Sequence, residues 1–325
     1  MSDRTLCVIG LGLIGGSLLR AAGGAGWKVR GTARPGTNLT AARDAGFDVS
    51  SSIEDVLAGA AADDALIVLA VPLPAIAEVL PVVARHAPDC RLTDVVSVKA
   101  PVAAAVARRA RCARYVGGHP MAGTSTSGWA AGSATLFTGA PWVVSSDEGT
   151  DPLVWAQVAT LALDCGAHVV PAGAAEHDAA VARISHLPHV LAAVLASSGA
   201  GGGPLALALG AGSYSDGTRV AASQPELVRA MCEGNRDALL DAVDDALGRL
   251  GAARGSLAST GALEATLRAG HQARLDFEAA RAAAGEKGTG TIDLSARGSM
   301  RRLRELGHLG GRVVGLQGTR CQFQR

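Results

Sequence analysis

A short β-type run, Thr5 to Ile9 (TLCVI), leads directly into Gly10-Leu-Gly12-Leu-Ile14-Gly15-Gly16-Ser17 and then into the helix-compatible Leu18-Leu19-Arg20-Ala21-Ala22. No other stretch constrains the fold as much as this strand, G-x-G-x-x-G turn and helix in succession. One glycine makes the tight turn, a second lets the backbone approach a pyrophosphate, and a third lets the helix pack closely on the strand. The helix amino terminus offers N–H groups and its positive dipole end to the phosphates. Gly10, Gly12, Ile14 and Gly15 are therefore expected to line a dinucleotide.

The next strand, Trp27 to Thr32, ends on Gly31-Thr32-Ala33-Arg34. An NAD site usually places Asp or Glu here, to accept hydrogen bonds from the ribose hydroxyls, and this strand end has no acid. Arg34 either faces a 2′-phosphate or lies solvated in a loop. The missing carboxylate removes the repulsion that would exclude NADP, so NADP is expected over NAD, with Ala33 and Arg34 at its adenosine end.

Ala65 to Val71 (ALIVLAV) is a continuous apolar run, as expected of a parallel strand buried on both faces. Pro72 stops it, placing Ala70, Val71 and Pro72 at a strand's carboxyl end, where open α/β sheets bind ligands. Arg91 to Val96 is the next strand and delivers Ser97-Val98-Lys99 to the same edge. Ser97 can serve there as a pocket hydroxyl, as the N-cap of a helix starting near Pro101, or as both. Tyr115 to Gly117 then presents His119, which is either a turn residue in a glycine loop or a proton-transfer group. Pro141 to Ser145, a helix from Leu153 to Cys165 and the strand Ala167 to Val170 complete a βα alternation. That alternation implies a Rossmann-type, doubly wound, mainly parallel α/β sheet over residues 1–172.

From Gly173 the strands cease, and an all-α domain over 173–285 is expected. Ala174 to Ser197 carries apolar residues near a 3.6 period, with Pro188 placed to kink it. His186 and His189 share a face, but no zinc spacing is present and no metal is expected. Gly199–203 and 210–217 look like flexible turns, the second introducing Arg219, which is either a surface ion-pair residue or a fork of donors for a carboxylate. Pro225 to Leu250 and Leu257 to Ala284 read as long helices, and helical second domains of this kind commonly dimerise. Residues 286–325, Gly- and Arg-rich, are expected to be a loosely ordered tail with a short helix near Met300.

Composition narrows the class. At 325 residues the chain suits two domains; it is 48% hydrophobic but 3% aromatic, so the core rests on Ala, Val and Leu. A net charge of +1 gives no electrostatic footprint for nucleic acid or anionic membrane. Six scattered cysteines suit a reducing cytoplasm, and glycines interrupt the amino-terminal apolar segment, so neither a leader nor a membrane span is expected.

Together, VIGLGLIGGSL, Ala70 to Pro72, TDVVSVK (93–99), GGHPMAGT (117–124), ISHLPHV (184–190) and GTR (217–219) resemble the prephenate and arogenate dehydrogenases of tyrosine biosynthesis over roughly residues 5 to 285. That resemblance implies an NAD(P)-dependent oxidative decarboxylation of a cyclohexadienol to a phenol, without metal or flavin. His119 matches the catalytic histidine and Ser97 the serine between substrate and cofactor. Arg219 matches the arginine for a substrate carboxylate, and Thr124 and His189 match further pocket positions. Prephenate is expected over arogenate as substrate. Some relatives carry an aromatic residue near the position of Val228 and append a regulatory domain; neither feature is expected here. A hydroxyacid or imine reductase would place a lysine in the first helix of the second domain, and Ala174 to Ser197 contains none. A non-catalytic dinucleotide sensor would leave His119, Ser97 and Arg219 without a joint purpose.

Overall fold

The computed structural model describes residues 4–124, 126–283 and 288–325. The chain forms two compact units, residues 1–177 with 288–325 and residues 178–287.

The first unit opens with β1 (Thr5–Ile9), α1 (Leu13–Gly24), β2 (Lys28–Thr32), α2 (Thr37–Asp44), β3 (Val49–Ser50), α3 (Ile53–Ala62), β4 (Leu66–Leu69), α4 (Leu73–His86), β5 (Arg91–Asp94), α5 (Ala100–Arg109) and β6 (Arg114–Val116). The strands form one parallel sheet in the order β3-β2-β1-β4-β5-β6. β1 and β4 are buried throughout because helices cover both faces, and β4, like β1 after Thr5, is accordingly apolar. The strand order reverses between them, and outside the carboxyl ends at such a reversal is where open α/β sheets bind their ligands. Gly10 and Ala70 stand at those two ends.

The sheet stops at β6. A second sheet starts two residues later with β7 (Gly118–Pro120), followed by β8 (Pro141–Ser145), α6 (Pro152–Asp164) and β9 (His168–Ala172). β8 and β9 run parallel, and β7 pairs antiparallel with β8. The Tyr115 to Gly117 strand is therefore split at Gly117 between two sheets, where one continuous sheet was expected.

α7 (Ala174–Val181) passes through a π-helical turn, Ala182–His186, into α8 (Leu187–Ala200). The turn is the form taken by the expected kink. Pro188 has no N–H to donate, and the wider ring, closed by Leu187 N–H to the Ala182 carbonyl, absorbs the missing bond. Asn235 pins this turn: its Nδ2 donates to the Asp178 carbonyl at 2.7 Å and lies 3.2 Å from His186 Nδ1. Of the two glycine-rich stretches expected as flexible turns, the first holds the turn Gly201–Gly202 between α8 and α9 (Gly203–Ala208), whereas the second is mostly the short helix α10 (Gly212–Thr218), before a 3₁₀ turn at Arg219–Ala222. Tyr214 holds α10 on α8 by donating its hydroxyl to the Ala196 carbonyl at 3.0 Å. α11 (Pro225–Gly234), α12 (Arg236–Ser259) and α13 (Glu264–Ala282) complete the second unit. The run Ala174–Ala200 is, by length and composition alone, apolar enough to cross a membrane, with a mean hydropathy of 1.4. Length and composition alone do not make a membrane span, and a core helix meets the same measure; here alanines and few charges raise the average.

Residues 288–325 overturn the loosely ordered tail. β10 (Thr289–Asp293), α14 (Ser299–His308), β11 (Arg312–Gln317) and β12 (Arg320–Gln324) extend the second sheet to the order β10-β12-β11-β9-β8-β7. Their apolar residues are sparse but each is used: Ile292, Leu294, Met300, Leu303, Leu306, Val313 and Cys321 are buried with α6 and β9. Gly307 sits against the Pro171 carbonyl, where a side chain would collide, and Gly310 and Gly318 take the left-handed turns that separate the elements. The glycines that suggested looseness are the residues that permit close packing.

Candidate active site

The loop at the strand reversal has the form of a dinucleotide-binding turn. Gly10 has φ +104° and donates its N–H to the Thr32 carbonyl at 2.8 Å, tying the ends of β1 and β2. A side chain at Gly15 would collide with the Gly10 carbonyl, and one at Gly10 would meet the Ala70 oxygen at 2.6 Å. Gly12, at the cap of α1, has nothing within 4 Å of where a Cβ would stand, and no side chain caps the helix. Open space over uncapped N–H groups suits a pyrophosphate. Ile14, Ala33 and Ala70 pack as partly buried apolar groups around the loop. Val71 precedes Pro72, the N-cap of α4, and Arg34 is exposed at the end of β2.

His119 is half-buried on β7, opposite Val143 of β8. Its Nδ1 lies 2.8 Å from Nε2 of His177, the rings meeting edge to face at 80°. His177 is buried on the first turns of α7. A bond between two imidazoles holds a single proton, and whichever ring donates it fixes the tautomer of the other. Sequence reading missed this partner, since a lone polar residue within a helical run carries no spacing signal.

Ser97 is half-buried three residues beyond β5 and does not cap α5; Lys99 occupies that position, with no side-chain cap. Asp94 and Lys99, both wholly buried, form an ion pair, and the Lys99 ammonium also donates to the Gly118 carbonyl at 2.5 Å. Asp94 Oδ1 accepts the Val96 N–H at 2.8 Å, and Oδ2 accepts the Tyr115 hydroxyl at 2.5 Å. Removing one member of such a pair typically costs about 3–5 kcal/mol, because the other charge is left buried and unpaired. These residues too were passed over, within the TDVVSVK stretch; a lysine is so seldom fully buried that nothing local announces it.

Thr124 lies exposed in the loop after β7, its hydroxyl donating to the Thr126 carbonyl at 2.9 Å. The far end of that loop is anchored. Trp129 is buried, donates its backbone N–H to Asn38 Oδ1 of α2 at 3.0 Å, and carries the Arg20 guanidinium 3.5 Å over its ring. The loop beyond His119 is thereby tied to α1 and α2, the helices that follow the first two strands.

In the second unit, His189 Nδ1 donates to the Ser185 carbonyl at 2.8 Å. A carbonyl can only accept, so in the neutral ring Nε2 is the acceptor nitrogen. Arg219 is exposed on the 3₁₀ turn that packs against α8, the helix carrying His189. Among the described residues no cluster of His, Cys, Asp and Glu could hold a metal. Burial pushes the Cys7, Cys165 and Cys321 thiols up to about 12 and Cys90 up to about 11, so none of these four is a nucleophile at neutral pH.

The chain matches two family models, one described as the prephenate dehydrogenase nucleotide-binding domain over residues 18–171 and the other as the prephenate dehydrogenase dimerization domain over residues 173–264. It is 32% identical to the prephenate dehydrogenase of Bacillus subtilis strain 168 over 250 residues, which is 74% of this chain and 67% of that protein. It is 30% identical to the cyclohexadienyl dehydrogenase of Zymomonas mobilis over 262 residues, 79% of this chain and 89% of that one. A crystal structure from Corynebacterium glutamicum, described as a candidate prephenate dehydrogenase, shares 44% identity and superposes with a TM-score of 0.89 over 96% of this chain and 99% of its own.

Proposed function

The chain belongs to the prephenate dehydrogenase family, and from that premise we propose that it oxidises prephenate with NADP, releasing carbon dioxide and 4-hydroxyphenylpyruvate. The observation that best supports this reading is the 2.8 Å hydrogen bond between His119 Nδ1 and His177 Nε2: with His119 as its donor, Nε2 of His119 is the basic nitrogen. The nicotinamide, when bound, supplies the acceptor for the hydride. The Gly10–Gly15 loop and the start of α1 hold its phosphates, and Arg34 faces the 2′-phosphate. His119 Nε2 takes the proton of the ring hydroxyl as hydride leaves the same carbon, relieving positive charge that would otherwise build on the ring. Ser97 orients that hydroxyl. Arg219 binds a substrate carboxylate, and Thr124 and His189 are further substrate-binding positions. The C–C bond to the ring carboxylate then breaks, its electron pair enters the ring, and the phenolate recovers the proton.

Arogenate is the second reading, favoured by the likeness to a cyclohexadienyl dehydrogenase. The deciding assay follows cofactor reduction with prephenate and with arogenate, each crossed with NADP and NAD. Turnover of neither substrate with either cofactor overturns the enzyme reading and leaves the non-catalytic dinucleotide sensor. Turnover of arogenate alone overturns prephenate.

A homodimer through the helical unit is part of the same reading. Leu191, Val194, Leu195, Leu240 and Phe277 are all exposed on the single chain, apolar surface for a second copy to cover. A second copy covering it accounts for the apolar Ala174–Ala200 run in a cytoplasmic enzyme. Sedimentation showing a monomer at micromolar concentration overturns that part.

A further inference from the structure

We infer that the buried Asp94–Lys99 pair fixes His119 and Ser97 relative to one another, with Lys99 a positioning residue that acts through the carbonyl of Gly118. The inference rests on the proposed role of His119 as the proton acceptor. Lys99 donates to Asp94 and, at 2.5 Å, to Gly118 O, the peptide that leads directly into His119. The carboxylate it meets also accepts the Val96 N–H, one residue before Ser97, and the Tyr115 hydroxyl on β6. One ammonium and one carboxylate therefore hold backbone from the end of β5 in the first sheet and from β7 in the second. They do so where the two sheets part, between Val116 and Gly118, and where no β-ladder runs on to set the spacing.

The surrounding glycines show how tightly that spacing is drawn. A side chain at Gly117 would meet Ser145 Oγ at 2.8 Å and Tyr115 Oη at 3.0 Å, and one at Gly118 would meet the Asp94 carbonyl oxygen at 2.7 Å. Stability alone does not explain a wholly buried ion pair, because apolar residues of similar volume often serve as well or better. What apolar packing cannot supply is direction. Charge-assisted hydrogen bonds in a low-dielectric interior hold donor and acceptor within a narrow range of distance and angle.

The test separates position from stability. Wild type, K99M, D94N and the double variant D94N/K99M are compared by thermal midpoint, by NADP binding in calorimetry, and by kcat and KM with prephenate. K99M leaves a buried unpaired carboxylate and is expected to melt early. The double variant removes both charges and is expected to regain most of the midpoint and to bind NADP as wild type does. Its kcat is expected to stay about a hundredfold low, the scale of a misplacement near 1 Å. A double variant that recovers kcat along with its midpoint overturns the inference. Should the double variant not fold, K99R decides: with a charged donor restored toward Gly118 O, it must regain kcat over K99M, and equal rates overturn the inference. H119N is assayed alongside. At wild-type rate it overturns the base assignment and this inference with it, whereas an inactive H119N beside a fully active double variant overturns only the inference.

Discussion

His119 and His177 share one hydrogen bond, Nδ1 to Nε2 at 2.8 Å, between the strand that carries the first and the helix that carries the second. When His119 donates, its Nε2 is the base; when His177 donates, Nε2 of His119 carries the proton and cannot accept another. Replacing His119 by Asn is expected to lower kcat by about 10²- to 10⁴-fold, the usual scale of acid–base assistance. Replacing His177 by Ala should cost roughly 10- to 100-fold, as for partners that set an imidazole's tautomer elsewhere, with KM changed far less. Steady-state kinetics checks both, and a His177→Ala enzyme at full kcat would remove the tautomer argument.

Two glycines of one loop should behave in opposite ways. Gly15→Ala forces a methyl group into the Gly10 carbonyl and is expected to unfold the loop, with a lower thermal midpoint even without cofactor. Gly12→Ala meets nothing within 4 Å, so the midpoint should hold while NADP binding weakens. Differential scanning calorimetry with and without NADP distinguishes them.

Arg34→Glu places a carboxylate where a ribose-reading acid ordinarily stands. The specificity constant for NADP should fall by about 10- to 100-fold, the worth of one charge-assisted hydrogen bond, while that for NAD holds or rises. An unchanged NADP preference would show that Arg34 is only a solvated loop residue.

Glu176 supplies a pH-dependent prediction. Partial burial pushes its carboxyl up, but the Gly173 N–H, His308 at 3.2 Å and Arg304 together bring it below its ordinary value of 4.5. A carboxyl depressed in the folded state stabilises above its unfolded pKa and loses that contribution as pH falls through the folded one. Glu176→Gln should therefore cost about 1 kcal/mol or less at pH 7, the size of a solvent-screened helix cap. The gap to wild type should close below about pH 4.5. Urea titrations at pH 7 and pH 3.5 measure it, and an equal gap at both pH values contradicts the assignment.

How much of this was legible in the residues depends on how local the cause is. Thr5–Ile9 and Pro141–Ser145 are strands to the residue because apolar burial and flanking glycine or proline act within a few positions. The glycine loop is legible for the same reason, and Pro188 announces a defect whose form, a π turn, only the helix geometry reveals. The importance of His177 and Lys99 comes instead from neighbours 58 and 19 positions away. Residues 288–325 were misread because their strands carry few apolar residues among glycine and arginine. Only the existing edge at β9, met by Val313 opposite Val169, makes them a sheet.

The second unit interrupts the first rather than following it, since residues 178–287 lie between two parts of one compact unit. This imposes an order in time during synthesis. When the ribosome has made β9 and α7, the strand still lacks its neighbour on one side, and Glu176 lacks His308. Both arrive only after the whole helical unit has emerged. The half of the protein that begins first therefore finishes last, and a chain cut short within residues 288–325 would carry an intact glycine loop beside an unfinished support for His177.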